Sequence, residues 1–448
     1  MIRRDFVRAL GASAAAAAVP LDSLGMLAGA PPAPVRSLAP KVNGDRLNAA
    51  LTALSEFGKN PQGGVTRLAY TEPDLAAREF TIARMKDAGL TVRVDAVGNI
   101  YGSRAGKDAT AKPIIFGSHV DSVPEGGNFD GPVGVFGSIE VAQTLREQNI
   151  VTSHPLEVVV WQNEEGGTWG SHLVTAERVT DAELATVSRS GKSIADGIRA
   201  LGADVAGLAS ARRARGSAHA YVELHIEQGG TLDREKLDIG IVEGIVGLRQ
   251  WEVTIEGFAN HAGTTPMDGR RDAMLSAARF VEAVNRIVRA EPGRQVGTVG
   301  RIQAFPGAPN VIPGKVVCTL ELRDLDDAKI ARLYDKVRAE AVRIGAQNET
   351  TFAYAPLVTH ESARCDERVR GIIGAVAKDL GLSTKSLPSG AGHDAQNLAR
   401  ICPMGMIFVP SVGGISHSPR EFSRAADITN GANVLLDTIL RLDALTLA

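Results

Sequence analysis

From about residue 41 onward, short and nearly unbroken apolar runs alternate with segments of helical spacing, and this order restricts the fold more than any other property of the chain. "TVRVDAVGNIYG", "KPIIFGSH", "LEVVVWQ" and "HAYVELHIE" read as strands, while "PDLAAREFTIARMKDAGL" has helical spacing and stops at Gly89. Such an order implies an α/β fold whose mostly parallel, mixed sheet is flanked by helices. The middle of the chain changes character. "RQWEVTIEG", the helical "RRDAMLSAARFVEAVNRIVRA", "VGTVGRIQAF", "KVVCTLELRD" and the helical "DAKIARLYDKVRAEAVRIG" spell strand, helix, strand, strand, helix. This is a smaller α+β unit with helices on one face of its sheet. After about residue 359 the first pattern resumes, with "PMGMIFVP" as a buried strand. The expected organisation is a main domain of residues 41–246 and 359–448, interrupted by an inserted domain of residues 247–358.

A chain of 448 residues suits two or three domains of roughly 100–200 residues each. Its 44% hydrophobic and 22% charged residues are those of a soluble globular protein, and a net charge of −2 supplies no basic footprint for nucleic acid. Cys318, Cys365 and Cys402 lie far apart and in no CxxC pattern, which indicates neither a disulfide framework nor a thiolate zinc site. The first 40 residues differ in kind. "MIRRDFVRALGASAAAAAVP" joins a basic segment with Arg3 and Arg4 to an alanine-rich stretch, and "LAGAPPAP" then offers small residues for cleavage. The pattern is that of a twin-arginine export signal, with a frayed alanine-rich helix as the plainer alternative. The stretch falls short of the about 20 apolar residues a membrane-spanning helix needs. No membrane span is expected in the mature protein, whose expected location is periplasmic or otherwise exported.

In "WQNEEGG", Glu164 and Glu165 directly follow a strongly apolar run. Adjacent carboxylates at the end of a buried strand raise each other's pKa, and desolvation adds to the cost. A metal ion, arginines or simply water at the strand end must offset it. Five of the nine histidines, His119, His225, His261, His393 and His417, lie in Gly-, Ser- or acid-rich segments, accompanied by Asp121, Asp130 and Asp394. One such histidine is usually an ordinary polar loop residue, but five with these acids suit zinc, manganese or cobalt. In "IIFGSHVDSVPEGGNFDGPVGV" a strand ends at His119, and Asp121 follows where it can orient the imidazole. A glycine-rich loop then delivers Asp130 just before a helix, with capping of that helix as the plainer alternative. Three strands thus bring ligand candidates to one sheet edge, the carboxyl ends at which open α/β sheets bind ligands.

Taken together, "GSHVDSVPEGGNFDGPVGV", "NEEG", "ELHIEQG", "HAGTTPMDGRRDA", "PNVIPG", "ELRD", "SGAGHDA" and "SHSPRE" span nearly the whole chain in order. They resemble the M20 metallopeptidase superfamily and, within it, the hydantoinase/carbamoylase branch of N-carbamoyl-L-amino acid hydrolases, allantoate amidohydrolases and β-ureidopropionases. The resemblance implies an aminopeptidase-like catalytic domain and makes the insert a lid and dimerisation domain. It also implies two divalent metal ions per subunit (zinc, manganese, cobalt or nickel). Asp130 would bridge them, with His119 and His225 completing one site and Glu165 and His417 the other. Glu164 matches the family's general base, with Asp121 behind the metal site, and His261 matches the histidine that stabilises the oxyanion. Gln228, Asn310 and Arg323 match the clamp on the substrate's α-carboxylate, and His393 a histidine of the substrate pocket. For Arg323 the alternative is a surface ion pair with Asp324 or Asp326.

The implied activity is hydrolysis of a linear, non-peptide C–N bond, foremost in an N-carbamoyl-L-amino acid, giving the L-amino acid, carbon dioxide and ammonia. Allantoate or another ureido acid is the close alternative. A dipeptidase and a non-catalytic exported ureido-acid binding protein stand further off. The implied partners are this small molecule and a second copy of the chain, a homodimer through the insert. Two segments depart from the family pattern: "NEEGGTWGSHLV" places Thr168 and Trp169 where relatives carry a longer stretch, and "EQGGTLD" replaces the commoner "EQGPVLE".

Overall fold

A computed structural model describes residues 40–446. The export signal expected over residues 1–40 lies, except for its last residue, outside the described residues. The chain first builds β1 (Thr91–Val94), β2 (Ile100–Arg104), β3 (Ile114–His119), β4 (Leu156–Trp161), β5 (Ala220–Ile226) and β6 (Ile239–Ile245). It continues with β7 (Gly247–Glu256), β8 (Asn260–His261), β9 (Val296–Thr298), β10 (Ile302–Phe305), β11 (Val311–Ile312), β12 (Lys315–Asp324) and β13 (Thr351–His360). It ends with β14 (Ala363–Arg364), β15 (Thr384–Ser389) and β16 (Met404–Val409).

Nine of these strands form the main sheet, in the order β1-β2-β4-β3-β5-β16-β6-β14 with β15 also on β6. The four central strands β4, β3, β5 and β16 are parallel, and antiparallel pairs close both sides. The parallel pairing expected from the uniformly apolar runs therefore occupies the centre, where β3, β5 and β16 are buried at every residue. Alternate side chains serve two cores. Ile114, Phe116, Val158 and Val222 pack on the face covered by helices Pro132–Glu147, Glu367–Asp379 and Ala425–Asp443, while Ile115, Val159, Trp161 and Tyr221 serve the opposite face. The helix Glu72–Asp87 stops where the sequence places its end, at Gly89 with φ 82°. "TVRVDAVGNIYG" is a hairpin rather than one strand, because Asp95 Oδ1 accepts from the backbone N–H groups of Val97 (3.0 Å) and Asn99 (2.9 Å) and turns β1 into β2.

The second sheet has the order β10-β12-β7-β13, with β9 also on β12, and every pairing is antiparallel. Trp251, Val253 and Ile255 of β7 and Val316, Cys318, Leu320 and Leu322 of β12 point to one face. There they meet the helices Ala273–Ala290 and Asp327–Asn348, with Phe280 fully buried among them. "VGTVGRIQAF" is divided into β9 and β10. Strand β13 is absent from the sequence reading. Most of its residues are exposed at the sheet edge and Pro356 interrupts its register, so it has neither the apolar alternation nor the unbroken donors of an inner strand. It carries the second sheet to His360. Because the second core closes around Phe280, Phe280→Ala is expected to cost about 3–5 kcal/mol, the usual loss for a buried aromatic truncated to alanine. Chemical denaturation of wild type and variant measures it, and a loss below about 1 kcal/mol would show that this core collapses freely.

Candidate active site

Because β3, β5 and β16 run parallel, His119, His225 and the loop beyond Val409 meet at one edge of the sheet. Both histidines are buried. Each ring approaches a backbone carbonyl through Nδ1: His119 that of Asp121 at 3.1 Å, His225 that of Ile226 at 2.9 Å. This assigns the proton to Nδ1 and leaves a lone pair on Nε2. Both Nε2 atoms face Asp130 Oδ1, at 3.6 Å and 3.2 Å, and neither has a hydrogen-bond partner among the described residues. A neutral ring would repel that oxygen, so either a second ring proton, which favours the ionised Asp130, or a metal ion must lie between them.

Asp130 arrives on the loop that enters helix Pro132–Glu147. The next residue, Gly131, has φ 83°, and a Cβ there would lie 2.4 Å from the His119 ring, so only glycine fits. Glu421 ties this loop to the one bearing His417. Its Oε1 accepts from the backbone N–H groups of Phe129 (3.0 Å) and Asp130 (3.1 Å), and its Oε2 from Ser416 Oγ (2.7 Å) and the His417 N–H (3.3 Å). His417 Nε2 then lies 3.3 Å from Asp130 Oδ2 and 3.6 Å from Glu165 Oε1. Two groups with the spacing of metal ligands, His119–Asp130–His225 and Asp130–Glu165–His417, therefore share Asp130. A third grouping, Glu223–His225–His393, is already engaged. Glu223 accepts from the Ser118 hydroxyl (2.8 Å), the Tyr221 hydroxyl (3.0 Å) and the Ala395 N–H (3.0 Å), and His393 Nε2 meets Ser389 Oγ at 2.8 Å.

Glu164 extends beside this centre, with Oε2 3.6 Å from His119 Nε2. Its turn is anchored by Asp121, whose carboxylate accepts from the N–H groups of Glu164 (3.2 Å) and Glu165 (3.1 Å). Asp121 thus meets His119 Nδ1 with its backbone carbonyl at 3.1 Å and its carboxylate Oδ1 at 3.6 Å, and the same carboxylate holds the acid pair. Burial keeps the carboxyls of Glu164 and Asp394 well above their usual range, and burial together with Asp130 pushes Glu165 up to about 7. Burial opposes ionisation of Asp130 as well, but His119, His225 and His417 outweigh it and hold that carboxyl well below its usual range. His393 is kept neutral by burial and by neighbouring His225. The buried Arg67 spends its hydrogen bonds on the carbonyls of Val120, Leu54 and Phe57 rather than on the acids of the centre. A surplus of carboxylates, two unpartnered Nε2 atoms and a mixed imidazole–carboxylate donor set fit a divalent transition-metal cation. Asn163, Thr168, Gln228 and His417, four of the nine non-glycine residues with positive φ among those described, cluster here, a strain typical of functional sites.

Above the centre opens a cleft of about 300 Å³. Asp130, Glu164, Glu165, Gln228, Arg323, His393 and His417 line it, and Asp121, His119 and His225 do not. Gln228 Nε2 donates to Asp130 Oδ2 at 2.6 Å. Arg323 donates from Nε to Glu321 (2.8 Å) and from NH1 to the Gly390 carbonyl (2.7 Å), whereas Asp324 and Asp326 pair with Lys329 and Arg332. His261 and Asn310 are not brought to the cleft. They are exposed on the ribbon of β8 and β11, where the Ala262 N–H donates to the Asn310 carbonyl at 2.9 Å. His261 Nδ1 accepts from the N–H groups of Gly263 (3.0 Å) and Thr264 (3.2 Å), which leaves its Nε2–H as an exposed donor. Arg189, 4.0 Å from Glu165, and His360 also line the cleft and escaped the sequence reading, as did Glu421, although it stands in the quoted "SHSPRE".

The model of peptidase family M20/M25/M40 matches residues 115–441. The chain belongs to this family. An N-carbamoyl-L-amino acid amidohydrolase of Geobacillus stearothermophilus is 41% identical over 406 residues, 90% of this chain and 99% of its own. A crystal structure of an amidase of the hydantoinase/carbamoylase family from Burkholderia multivorans is 38% identical, with a TM-score of 0.84 over 91% of this chain and 100% of its own. A ureidoglycolate hydrolase of Arabidopsis thaliana is 36% identical, covering 90% of this chain and 87% of its own. These likenesses put the chain in the hydantoinase/carbamoylase branch, as its motifs indicate. Amidohydrolases of the family are metal-dependent, and the groups around Asp130 are this chain's candidates for holding the metal.

Glu421 holds both loops without being a ligand candidate, so Glu421→Gln, which turns one acceptor into a donor against N–H groups, is expected to weaken metal binding about 10–100-fold. Metal titration monitored alongside circular dichroism measures this, and unchanged affinity in a folded variant would remove Glu421 from the positioning of the site.

Proposed function

We propose that this chain hydrolyses the carbamoyl C–N bond of an N-carbamoyl-L-amino acid to the L-amino acid, carbon dioxide and ammonia. The observation that carries the reading is Asp130, shared by two imidazole–carboxylate groups, with Glu164 beside them on a cleft that also presents Arg323. His119, Asp130 and His225 would hold one divalent ion and Asp130, Glu165 and His417 a second, drawn from zinc, manganese, cobalt or nickel. Two such ions, when bound, acidify a water and polarise the scissile carbonyl. Burial raises the Glu164 carboxyl well above its usual range, and the bound cations would offset this and keep it ionised, so that it takes the proton of the attacking water and passes it to the leaving nitrogen. It ends the cycle ionised, as it began. Arg323 offers a guanidinium fork for the α-carboxylate, and Gln228 and His393 complete the polar lining. An allantoate- or ureidoglycolate-type substrate is the second reading, favoured by Thr168, which brings the departing "NEEGGTWGSHLV" loop to the cleft.

We assign residues 247–358 the role of a lid and dimer contact. The exposed Nε2–H of His261 supports this, because the donor is formed away from its own cleft and serves the carbonyl oxygen only after closure or from a partner chain. Strand β13 leaves an exposed edge for such pairing. Residues 1–40 we read as a twin-arginine-type signal for export to the periplasm, supported by Arg3, Arg4 and the alanine-rich stretch. Among the described residues no helix is long and apolar enough to cross a membrane.

Ammonia release by the metal-reconstituted chain from N-carbamoyl-L-amino acids, allantoate, β-ureidopropionate and dipeptides tests the reaction. Turnover of the N-carbamoyl compounds is expected, and cleavage of dipeptides alone would overturn the reading. Glu164→Gln should keep its metal while kcat falls about 10²–10⁴-fold, the usual worth of a general base. Near-normal kcat at full metal occupancy would assign the proton transfer elsewhere. Mixing inactive Glu164→Gln with inactive His261→Ala under subunit exchange should restore activity if His261 acts across a dimer. A dimer that stays inactive places His261 in its own subunit, and an active monomer removes the dimer.

A further inference from the structure

The opposite ends of the same parallel strands carry a feature that the metal chemistry does not use. Lys112 stands just before β3, Gly216 and Ala218 before β5, and Cys402 before β16, and together they border a cavity of about 440 Å³. The seven residues of β5 separate it from the histidine end by roughly 20 Å at about 3.3 Å per residue. Lys112, Arg215, Arg364 and Arg400 stand exposed on its rim. Among the described residues, none of these four side chains has a hydrogen-bond or ion-pair partner. The carboxylate on the lining, Asp366, is already held through both oxygens by Arg368, at 3.1 and 2.9 Å.

This is a local excess rather than general basicity, since the whole chain carries a net charge of −2. Elsewhere arginines find carboxylates, as Arg46 does with Glu140 and Glu147 and Arg213 with Glu157. Four like charges gathered around one concavity repel one another, and a bound anion removes that cost. Beneath the rim the floor is apolar, with Ala218, Ile401, Cys402 and Met404 buried. Guanidinium forks match phosphate oxygens, an apolar floor suits a flat organic body, and the volume lies in the range of small-molecule sites.

We propose that this cavity binds a small phosphate-bearing anion of nucleotide size, at a site separate from the metal centre. The assignment does not depend on which substrate the cleft hydrolyses. Calorimetric titration of the metal-loaded full chain with AMP and with inorganic pyrophosphate tests it, run in parallel on Arg215→Gln and on Arg215→Glu/Arg400→Glu. Both variants change exposed side chains, and circular dichroism and metal content check that they remain folded. Binding to the wild type should weaken with rising salt, fall about tenfold in Arg215→Gln and about a hundredfold in the double variant, a charge-assisted contact being lost at each position. Tighter binding of AMP than of pyrophosphate identifies a nucleotide as the ligand, and the reverse a free phosphate. Absence of binding in the wild type overturns the proposal. So does binding of equal strength in all three proteins, which would place the phosphate at the metal centre instead.

Discussion

Everything at the catalytic end of this protein is arranged around one carboxylate. Asp130 faces His119 and His225 with one oxygen and His417 with the other, and its own ionised form is favoured only because those imidazoles outweigh burial. The surrounding acids make the arrangement unstable by themselves. Glu164, Glu165, Glu223 and Asp394 are all raised above their usual range by burial, the mark of negative charge collected faster than the protein neutralises it. The fold tolerates this because backbone N–H groups and hydroxyls grip the carboxylates from behind: Asp121 holds the turn of the acid pair, Ser118 and Tyr221 hold Glu223, and Glu421 receives four hydrogen bonds. A metal ion would complete a charge balance that the polypeptide leaves open.

Much of this was legible in the sequence because strand ends announce themselves. Apolar runs that stop at His119, Trp161 and Ile226 carry their polar residues to one edge by the pleat and direction of parallel strands, and the family's motifs single out the same positions. What stayed hidden depends on distances that no local pattern encodes. The carboxylate of Asp121 lies beside His119, as the sequence suggests, but it also accepts from the backbone of the acid pair, 43 and 44 positions away along the chain. Arg323 was weighed against Asp324 and Asp326. Its partner is Glu321, two residues back on the same face of β12, which the period of a strand would have suggested. Strand β13 escaped because an exposed edge containing Pro356 has little apolar pattern to read. The cationic cavity escaped because Lys112, Arg215, Arg364 and Arg400 come from four separate segments and meet only once the sheet is assembled.

The second sheet contributes differently. Its core is self-sufficient, built from alternating residues of β7 and β12 under two long helices, so it positions groups without sharing the acid-rich interior. Arg323 reaches the cleft from β12, while His261 and Asn310 remain on a short ribbon turned elsewhere. The cleft is thereby lined from two packing units, with Arg323 on one and Glu164 on the other.

The contact between Glu421 and the Asp130 loop spans 291 positions of the chain. Its consequence is temporal. A chain emerging from the ribosome carries His119, Asp130 and His225 long before His417 and Glu421 exist, and until the last strand docks, the loop bearing Asp130 lacks the carboxylate that holds its backbone. The complete centre therefore requires the segment that carries His417 and Glu421, and a product truncated before residue 417 retains His119, Asp130, His225 and Glu165 but lacks the imidazole of the second group.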